Sequence, residues 1–176
     1  DNEIFEQMND TKKRQLCVDL YEIRTYNMEL VPDQKSESIT INSLGFRGPE
    51  FSSTKSTDEY RIFLIGGSTI FGHGSTSDQT TIPGYLQTYF NTDDVEIINS
   101  GIQGADSFIE LNLIKTKLLN LSPDMVIVYD GWNDLRAETS SNLIHQNWNS
   151  MCKLGQEYNF EVVIILQPIA GFGNKP

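Results

Sequence analysis

The sequence predicts an α/β fold with a doubly wound parallel sheet. Strand-like and helix-like segments alternate along most of the chain, as such a sheet requires. The strand-like segments are continuous apolar runs, which is typical of strands covered on both faces. The first three of them lead into glycine and polar side chains. Because the carboxyl ends of parallel strands lie at one edge of the sheet, we expect a functional site at that edge.

The N-terminal region predicts a helical extension in front of the sheet. Apolar residues of the segment 4–23 recur at intervals of three and four, which is typical of an amphipathic helix that packs as a lid or side element. Pro32 ends this helix, and the polar stretch 33–40 is expected to be a loop. The chain therefore divides into an extension with its linker, residues 1–41, and a sheet domain, residues 42–176.

The core elements are predicted in a regular order. The apolar runs place strands at 61–65, 95–98, 125–129 and 161–168. Pro83 suits the first turn of a helix over about 83–91. Asp106 or Ser107 is suited to cap a second helix, which runs to about Asn120. A third helix is expected at 142–148.

Ser68 is the strongest candidate for a catalytic residue. It follows the first core strand immediately after Gly66 and Gly67, which allow close approach of the backbone. A helix that starts here would aim amide N–H groups at developing negative charge. These features favour a nucleophilic serine, although an ordinary turn with a solvated serine fits this segment alone equally well.

Two further strand ends strengthen the catalytic interpretation. The second strand leads into the segment 99–104 and the third into 130–134, and both contain glycine and polar residues. In a parallel sheet these ends lie beside the end of the first strand, so Ser68, Gly104 and Asn133 are expected to converge. Acyl transfer requires a nucleophile and hydrogen-bond donors for the tetrahedral oxyanion. The backbone N–H groups of Ser68 and Gly104 and the carboxamide of Asn133 supply three such donors.

Three ordered blocks of the chain resemble those of the SGNH hydrolases, a branch of the GDSL-type lipases and esterases. Gly66-Gly67-Ser68-Thr69 with Gly72 is similar to the nucleophile block in its GGS-T variant. The segment 99–104 is similar to the glycine block, and 131–134 to the G-x-N-D block. The segment 42–48 is similar to one that often precedes the first strand in members with an N-terminal extension. The resemblance spans about residues 42–168.

The resemblance carries expectations for fold and chemistry. It implies a flavodoxin-like three-layer α/β/α sandwich and a serine ester hydrolase, an esterase, lipase or acylhydrolase. It also implies an acyl-enzyme on Ser68 and an oxyanion hole from Ser68, Gly104 and Asn133. No metal and no other cofactor is implied. Thr69, Phe71, His73 and Trp132 lie beside these positions in the sequence and are predicted to line a substrate site, although an aromatic side chain at a strand end is as often packing.

The general base departs from the family pattern. SGNH hydrolases carry it in an Asp-x-x-His block near the C-terminus, and this sequence has no such block. Its histidines are His73, shortly after the nucleophile, and His145, in the helix predicted after the third block, and neither matches the family position. We expect the missing Asp and His to follow Pro176, so residues 1–176 alone should be nearly inactive. A natural protein without the base is the alternative.

Other functions with similar motifs fit this sequence less well. A P-loop is disfavoured because His73-Gly74 stands where that motif needs Lys and then Ser or Thr. The α/β-hydrolase elbow is disfavoured because Ile70 takes its second-glycine position. Asp130 and Asp134 lack a third oxygen ligand nearby, so they are expected to be structural or solvated and not a cation site. Transfer of an acyl group to a carbohydrate, and a non-catalytic carbohydrate- or acyl-binding protein, remain as alternatives.

Composition and charge restrict the partners. The chain has 176 residues and a net charge of −11, with 13 basic against 24 acidic residues, so nucleic acid is not expected as a partner. Its apolar stretches fall short of the ~20 residues that span a bilayer. Cys17 and Cys152 do not form a zinc pattern and do not fix the compartment. A small-molecule or carbohydrate ester is the expected substrate. The oligomeric state stays open, as does export or membrane anchoring through a segment before Asp1.

Overall fold

The computed structural model describes residue 7 and residues 9–11, 29–92 and 94–168. Most of the predicted N-terminal helix, and Cys17 with it, lies outside these residues. That helix and the boundary at residue 41 therefore stay predictions, and whether the two cysteines pair stays open. Among the described residues, no helix is long and apolar enough to cross a bilayer.

The described elements alternate between strands and helices after residue 60. The strands are β1 (Gln34–Lys35), β2 (Thr40–Ile41), β3 (Tyr60–Gly66), β4 (Val95–Gly101), β5 (Met125–Asp130) and β6 (Glu161–Leu166). The α-helices are α1 (Ser68–Phe71), α2 (Ile82–Phe90), α3 (Ser107–Thr116), α4 (Trp132–Arg136) and α5 (Ser141–Tyr158). Short 3-10 turns lie at Asp78–Thr80 and Leu118–Leu121. All four predicted core strands are present.

The helix predicted to run to Asn120 is shorter than expected. Asp106 caps α3 by accepting a hydrogen bond from the Ile109 N–H, as one of the two predicted caps. The helix ends at Thr116, and a 3-10 turn follows it. This tighter turn buries Leu118 and Leu121 together, which explains the difference.

The main sheet is parallel, with the strand order β4-β3-β5-β6. The first core strand, β3, is central: the chain moves to one side of it with β4 and to the other side with β5 and β6. A reversal of this kind is the switch point of a doubly wound sheet, where ligands bind outside the carboxyl ends of the strands. In this protein the switch point lies between β3 and β5.

Helices pack on both faces of the sheet, because alternate residues of β3 point to opposite sides. Ile62 and Leu64 pack with Leu86 of α2 in one apolar cluster. Phe63 and Ile65 belong to a second cluster, with buried residues of α3 and α5. The result is three layers: α2 on one face, the parallel sheet, and α3 with α5 on the other face.

The segment in front of the sheet differs from its prediction. Residues 33–40, expected as a loop, contain β1 and the start of β2, which form an antiparallel hairpin. Ile39 and Ile41 on this hairpin are 4% and 1% exposed and join the core cluster of Phe63. The loop prediction for 33–40 was wrong. The two strands are short and contain few apolar residues, so the polar residues around them hide the strand pattern in the sequence.

Candidate active site

Ser68 begins α1 directly at the carboxyl end of β3. The sharp turn between the two elements depends on close contacts that only glycine permits. A Cβ at Gly66 would lie 2.6 Å from Cγ1 of Ile70 and 2.7 Å from the backbone oxygen of Tyr129 on β5. The turn is thereby pressed against the neighbouring strand at the switch point. Ser68 is half-buried there, and its hydroxyl has no hydrogen-bond partner among the described residues.

The structure brings the nucleophile block and the G-x-N-D block into contact. A Cβ at Gly67 would overlap the side-chain nitrogen of Asn133, so the Asn133 carboxamide lies directly against Gly67. The same nitrogen donates a hydrogen bond of 2.6 Å to the backbone oxygen of Ala105, the residue after Gly104. The three segments that carry Ser68, Gly104 and Asn133 therefore meet at one point, although they are far apart in the sequence.

Several N–H groups at this point are available to a ligand. Neither the Ser68 N–H nor the Gly104 N–H donates to an acceptor in the described part of the chain. Gly104 is exposed and has a φ of 77°, a left-handed conformation that glycine adopts without strain. The amide of Asn133 uses one hydrogen on Ala105 and has a second hydrogen to donate.

Asp134, the residue after Asn133, fixes the position of the G-x-N-D block. Its carboxylate is fully buried and accepts hydrogen bonds from the Ser107 N–H at 2.8 Å and from the Ser107 hydroxyl at 2.7 Å. The amide of Asn147 on α5 donates to the same hydroxyl at 2.8 Å. Because Ser107 is the first residue of α3, this network fixes the start of α3 and the preceding glycine block relative to Asn133. Of the two roles that the sequence left open for Asp134, structural or solvated, these buried contacts correspond to the structural one.

Three carboxyl groups are buried close to the site, those of Glu110, Asp130 and Asp134. Burial raises the pKa of Asp130 to about 6, and the hydrogen bonds that it accepts from Trp148 and Gly131 oppose this effect. Burial, and then the nearby Asp130 and Asp134, raise the pKa of Glu110 well above its ordinary value. Both oxygens of Glu110 lack a hydrogen-bond partner within the described residues. Among the residues that the structure describes, no group of acidic, His or Cys side chains has the arrangement of a metal site.

The predicted substrate-contacting residues have different positions. Trp132 is 37% exposed at the start of α4, and Thr69 is half-buried beside Ser68. His73 is exposed just after α1. Phe71 is fully buried in the core beneath the turn, so we leave it out of the residues proposed to contact a substrate.

The second histidine, His145, is exposed on α5. Its ring lies 6.0 Å from that of Trp148, centroid to centroid. Neither His145 nor His73 is hydrogen-bonded to the Ser68 hydroxyl.

Gln167 also lies at this edge, and the sequence did not predict it. Its side chain donates a hydrogen bond of 3.0 Å to the Thr69 hydroxyl, so the end of β6 contacts the residue after Ser68. Gln167 lies within the predicted strand 161–168, whereas in the structure it directly follows β6. A polar side chain at the end of an apolar run was the available signal.

A separate cavity lies away from Ser68. It has a volume of about 460 Å³ and lies between α2 and the outer edge of β4. Its lining includes Pro83, Gln87, Glu96, Ile97 and Asn99. Ser68, Gly104 and Asn133 are not part of the lining, so we do not place the reaction there.

Comparison with known proteins confirms the fold. No family model matches the sequence, and no curated protein matches it. Solved structures do match. A protein assigned to the G-D-S-L family of lipolytic proteins, from Desulfitobacterium hafniense DCB-2, aligns with a TM-score of 0.58 and 18% identity over 64% of this chain. The SGNH-hydrolase family esterase AlinE4 aligns with a TM-score of 0.56 and 24% identity over 65% of this chain.

The alignments cover 63% of the length of each of these two proteins, so this chain spans less than two thirds of them. A third structure, TesA, aligns with a TM-score of 0.54 and 22% identity over 59% of this chain and 58% of its own. At these identities the likeness establishes the fold. The protein has the three-layer α/β/α fold of the SGNH hydrolases, and the resemblance found in the three sequence blocks is confirmed at that level.

Proposed function

We propose that this protein is a serine ester hydrolase that forms an acyl-enzyme on Ser68. The observation that carries the proposal is the contact of the Asn133 amide with Gly67, together with its hydrogen bond to Ala105. Through this amide the nucleophile block, the glycine block and the G-x-N-D block share one small volume. An acyl-transfer site needs such convergence, and a solvated serine in an ordinary turn does not. The fold supports the same conclusion, since the neighbours include a protein described as an SGNH-hydrolase family esterase.

In the proposed reaction the Ser68 hydroxyl attacks the carbonyl carbon of an ester while a base takes its proton. The carbonyl oxygen becomes an oxyanion, which accepts hydrogen bonds from the N–H groups of Ser68 and Gly104 and from the free hydrogen of the Asn133 amide. Collapse of this intermediate breaks the ester C–O bond, the base returns its proton to the leaving oxygen, and the alcohol departs while the acyl group stays on Ser68. Water then attacks the acyl-enzyme, which releases the acid and restores the serine. We assign the base to no described residue.

The test is hydrolysis of short and medium p-nitrophenyl acyl esters by the protein at its native length. Ser68→Ala is expected to abolish turnover and to leave the thermal unfolding curve unchanged. Ser150→Ala is the matched control, because that hydroxyl bonds only within α5 and should not affect turnover. Equal activity in wild type and Ser68→Ala would refute the proposal. Turnover that depends on Ser68 and rises with an added sugar acceptor would redirect it to acyl transfer.

A further inference from the structure

Arg47 is a buried cation whose hydrogen-bonding capacity is fully used. Its side chain is 0% exposed, although no element of secondary structure contains it. A guanidinium has five N–H donors. Here Nε donates to Asp78 at 2.8 Å, and the two terminal nitrogens donate to four backbone oxygens. Burial of this charge would be costly if its donors were left unpaired, so the contacts fix the position of the group closely.

Two of these acceptors belong to the end of the nucleophile helix. Nη1 of Arg47 donates to the backbone oxygens of Phe71 at 2.9 Å and Gly72 at 3.0 Å. The guanidinium carbon also lies 5.0 Å from the centroid of the Phe71 ring. The carbonyl groups at the C-terminal end of a helix have no partner within the helix and carry negative partial charge. Arg47 supplies both the missing donors and the compensating charge.

The helix that Arg47 caps is too short to be stable by itself. It has 4 residues, a single turn, and isolated helices of that length do not persist in water. Its internal bonds run back to the site: the N–H groups of Gly72 and His73 both donate to the Ser68 oxygen at 2.9 Å. A shift of the capped end would therefore be transmitted directly to the backbone of Ser68.

The other contacts of Arg47 connect this helix to the rest of the domain. The remaining acceptors are the backbone oxygens of Ser38 and Ser77. Asp78 accepts from the Thr40 N–H as well as from Arg47, so it joins the cation to β2. The Arg47 backbone pairs with Asn99 on β4, and the Asn99 amide donates to the same Phe71 oxygen. One side chain thus links the hairpin, the nucleophile helix and the 3-10 turn that contains Asp78.

We propose that Arg47, held by Asp78, is a positioning residue for Ser68. By fixing the C-terminal end of α1 it keeps the hydroxyl and N–H of Ser68 aligned with Gly104 and Asn133. Arg47 does not touch the reacting atoms, so its effect on catalysis is indirect. The catalytic part of this inference rests on the proposed function, whereas the structural part does not.

Arg61 offers a matched control for a merely structural role. It is also 0% exposed and donates to Glu59, Glu96 and two backbone oxygens. It lies at the start of β3, at the other end of the strand from Ser68. A lysine ammonium cannot reproduce the planar arrangement of guanidinium N–H donors at either position. Arg47→Lys and Arg61→Lys should both lower stability, but only Arg47→Lys should affect the nucleophile helix.

The first measurement is amide hydrogen exchange in the native-length protein, and it does not depend on activity. We expect Arg47→Lys to speed exchange of the Phe71, Gly72 and His73 amides by about tenfold or more relative to the amides of 126–128 in β5. Asp78→Asn keeps the guanidinium and should give a smaller change at the same amides. It also serves as the second variant if Arg47→Lys fails to fold. We define the exchange ratio as the exchange rate of the Phe71, Gly72 and His73 amides divided by that of the amides of 126–128. In Arg61→Lys the exchange ratio should stay at the wild-type value.

The second measurement is ester hydrolysis by the same variants. We expect kcat to fall by about 10- to 100-fold in Arg47→Lys, because misplacement of a nucleophile lowers the rate of the chemical step. KM should be nearly unchanged. Arg61→Lys should keep the wild-type kcat. A wild-type exchange ratio and kcat in both Arg47→Lys and Asp78→Asn, or equal changes in the Arg47 and Arg61 variants, would overturn the positioning role. If wild type shows no turnover that depends on Ser68, the proposed function fails, and the exchange ratio alone decides the role of Arg47.

Discussion

The side-chain nitrogen of Asn133 occupies the space where Gly67 would carry a Cβ. Two residues from the ends of different strands are therefore in van der Waals contact beside Ser68. The contact lies at the switch point between β3 and β5, where the fold leaves a crevice. It explains why glycine precedes the serine: a side chain at this position would displace the carboxamide that we propose as an oxyanion donor.

Gly67→Ala is expected to lower kcat by at least about 10-fold through displacement of Asn133. The backbone of Gly67 is extended, with a φ of −78°, and does not have the left-handed conformation that favours glycine, so we expect the cost to come from the contact with Asn133. The measurement is a double-mutant cycle with Asn133→Ala. If both changes act through one contact, the double variant should be no slower than Asn133→Ala alone. Losses that multiply would show that Gly67→Ala acts by another route.

Asn133→Ala is expected to reduce kcat for ester hydrolysis by about 100- to 1000-fold, the effect of removing one oxyanion donor. Asn149→Ala is a suitable control, because Asn149 is exposed on α5. Thermal unfolding of both variants separates lost catalysis from lost fold. A kcat within about twofold of wild type for Asn133→Ala would remove this residue from the oxyanion hole.

Ser107→Ala is expected to destabilise the protein by about 1–3 kcal/mol, since it leaves a buried oxygen of Asp134 and the Asn147 amide without their partner. Ser150→Ala removes a hydroxyl that bonds only to Gln146 of its own helix and should cost less than about 0.5 kcal/mol. Urea unfolding of the two variants measures the difference. Equal midpoints would mean that the hydroxyl of Ser107 contributes nothing to the anchoring of Asp134.

Local patterns of the sequence explain which parts of this architecture could be predicted. The buried strands appear as apolar runs, and the turn before Ser68 appears as a pair of glycines, because burial and close backbone approach restrict the residue types at these positions whichever segments pack against them. Arg47 could not be assigned its contacts in this way. Four of its five acceptors are backbone oxygens, which leave no mark on side-chain identity, and they come from three separate segments. The bond from Gln167 to Thr69 was missed for a different reason: it joins two side chains that are 98 residues apart in the sequence.

The contribution of Glu110 to stability is expected to fall as the pH rises above about 4.5, the ordinary pKa of a glutamate. Burial and the nearby Asp130 and Asp134 raise the pKa of Glu110 in the folded protein. The folded state therefore binds a proton that the unfolded state has already released, so protonated Glu110 stabilises the fold fully below that pH and progressively less above it. Glu110→Gln keeps the shape of the side chain and removes the titration.

We therefore expect Glu110→Gln to match the wild-type free energy of unfolding near pH 5 and to exceed it at pH 8.5. Urea unfolding at the two pH values measures the change. Glu157→Gln, an exposed substitution on α5, should leave the difference between the two pH values as it is in wild type. Asp130, whose pKa burial raises to about 6, is expected to preserve part of the pH dependence in the Glu110→Gln variant. A Glu110→Gln curve parallel to the wild-type curve between pH 5 and 8.5 would mean that Glu110 is already ionised in the folded protein, and that solvent reaches a site which the fold encloses.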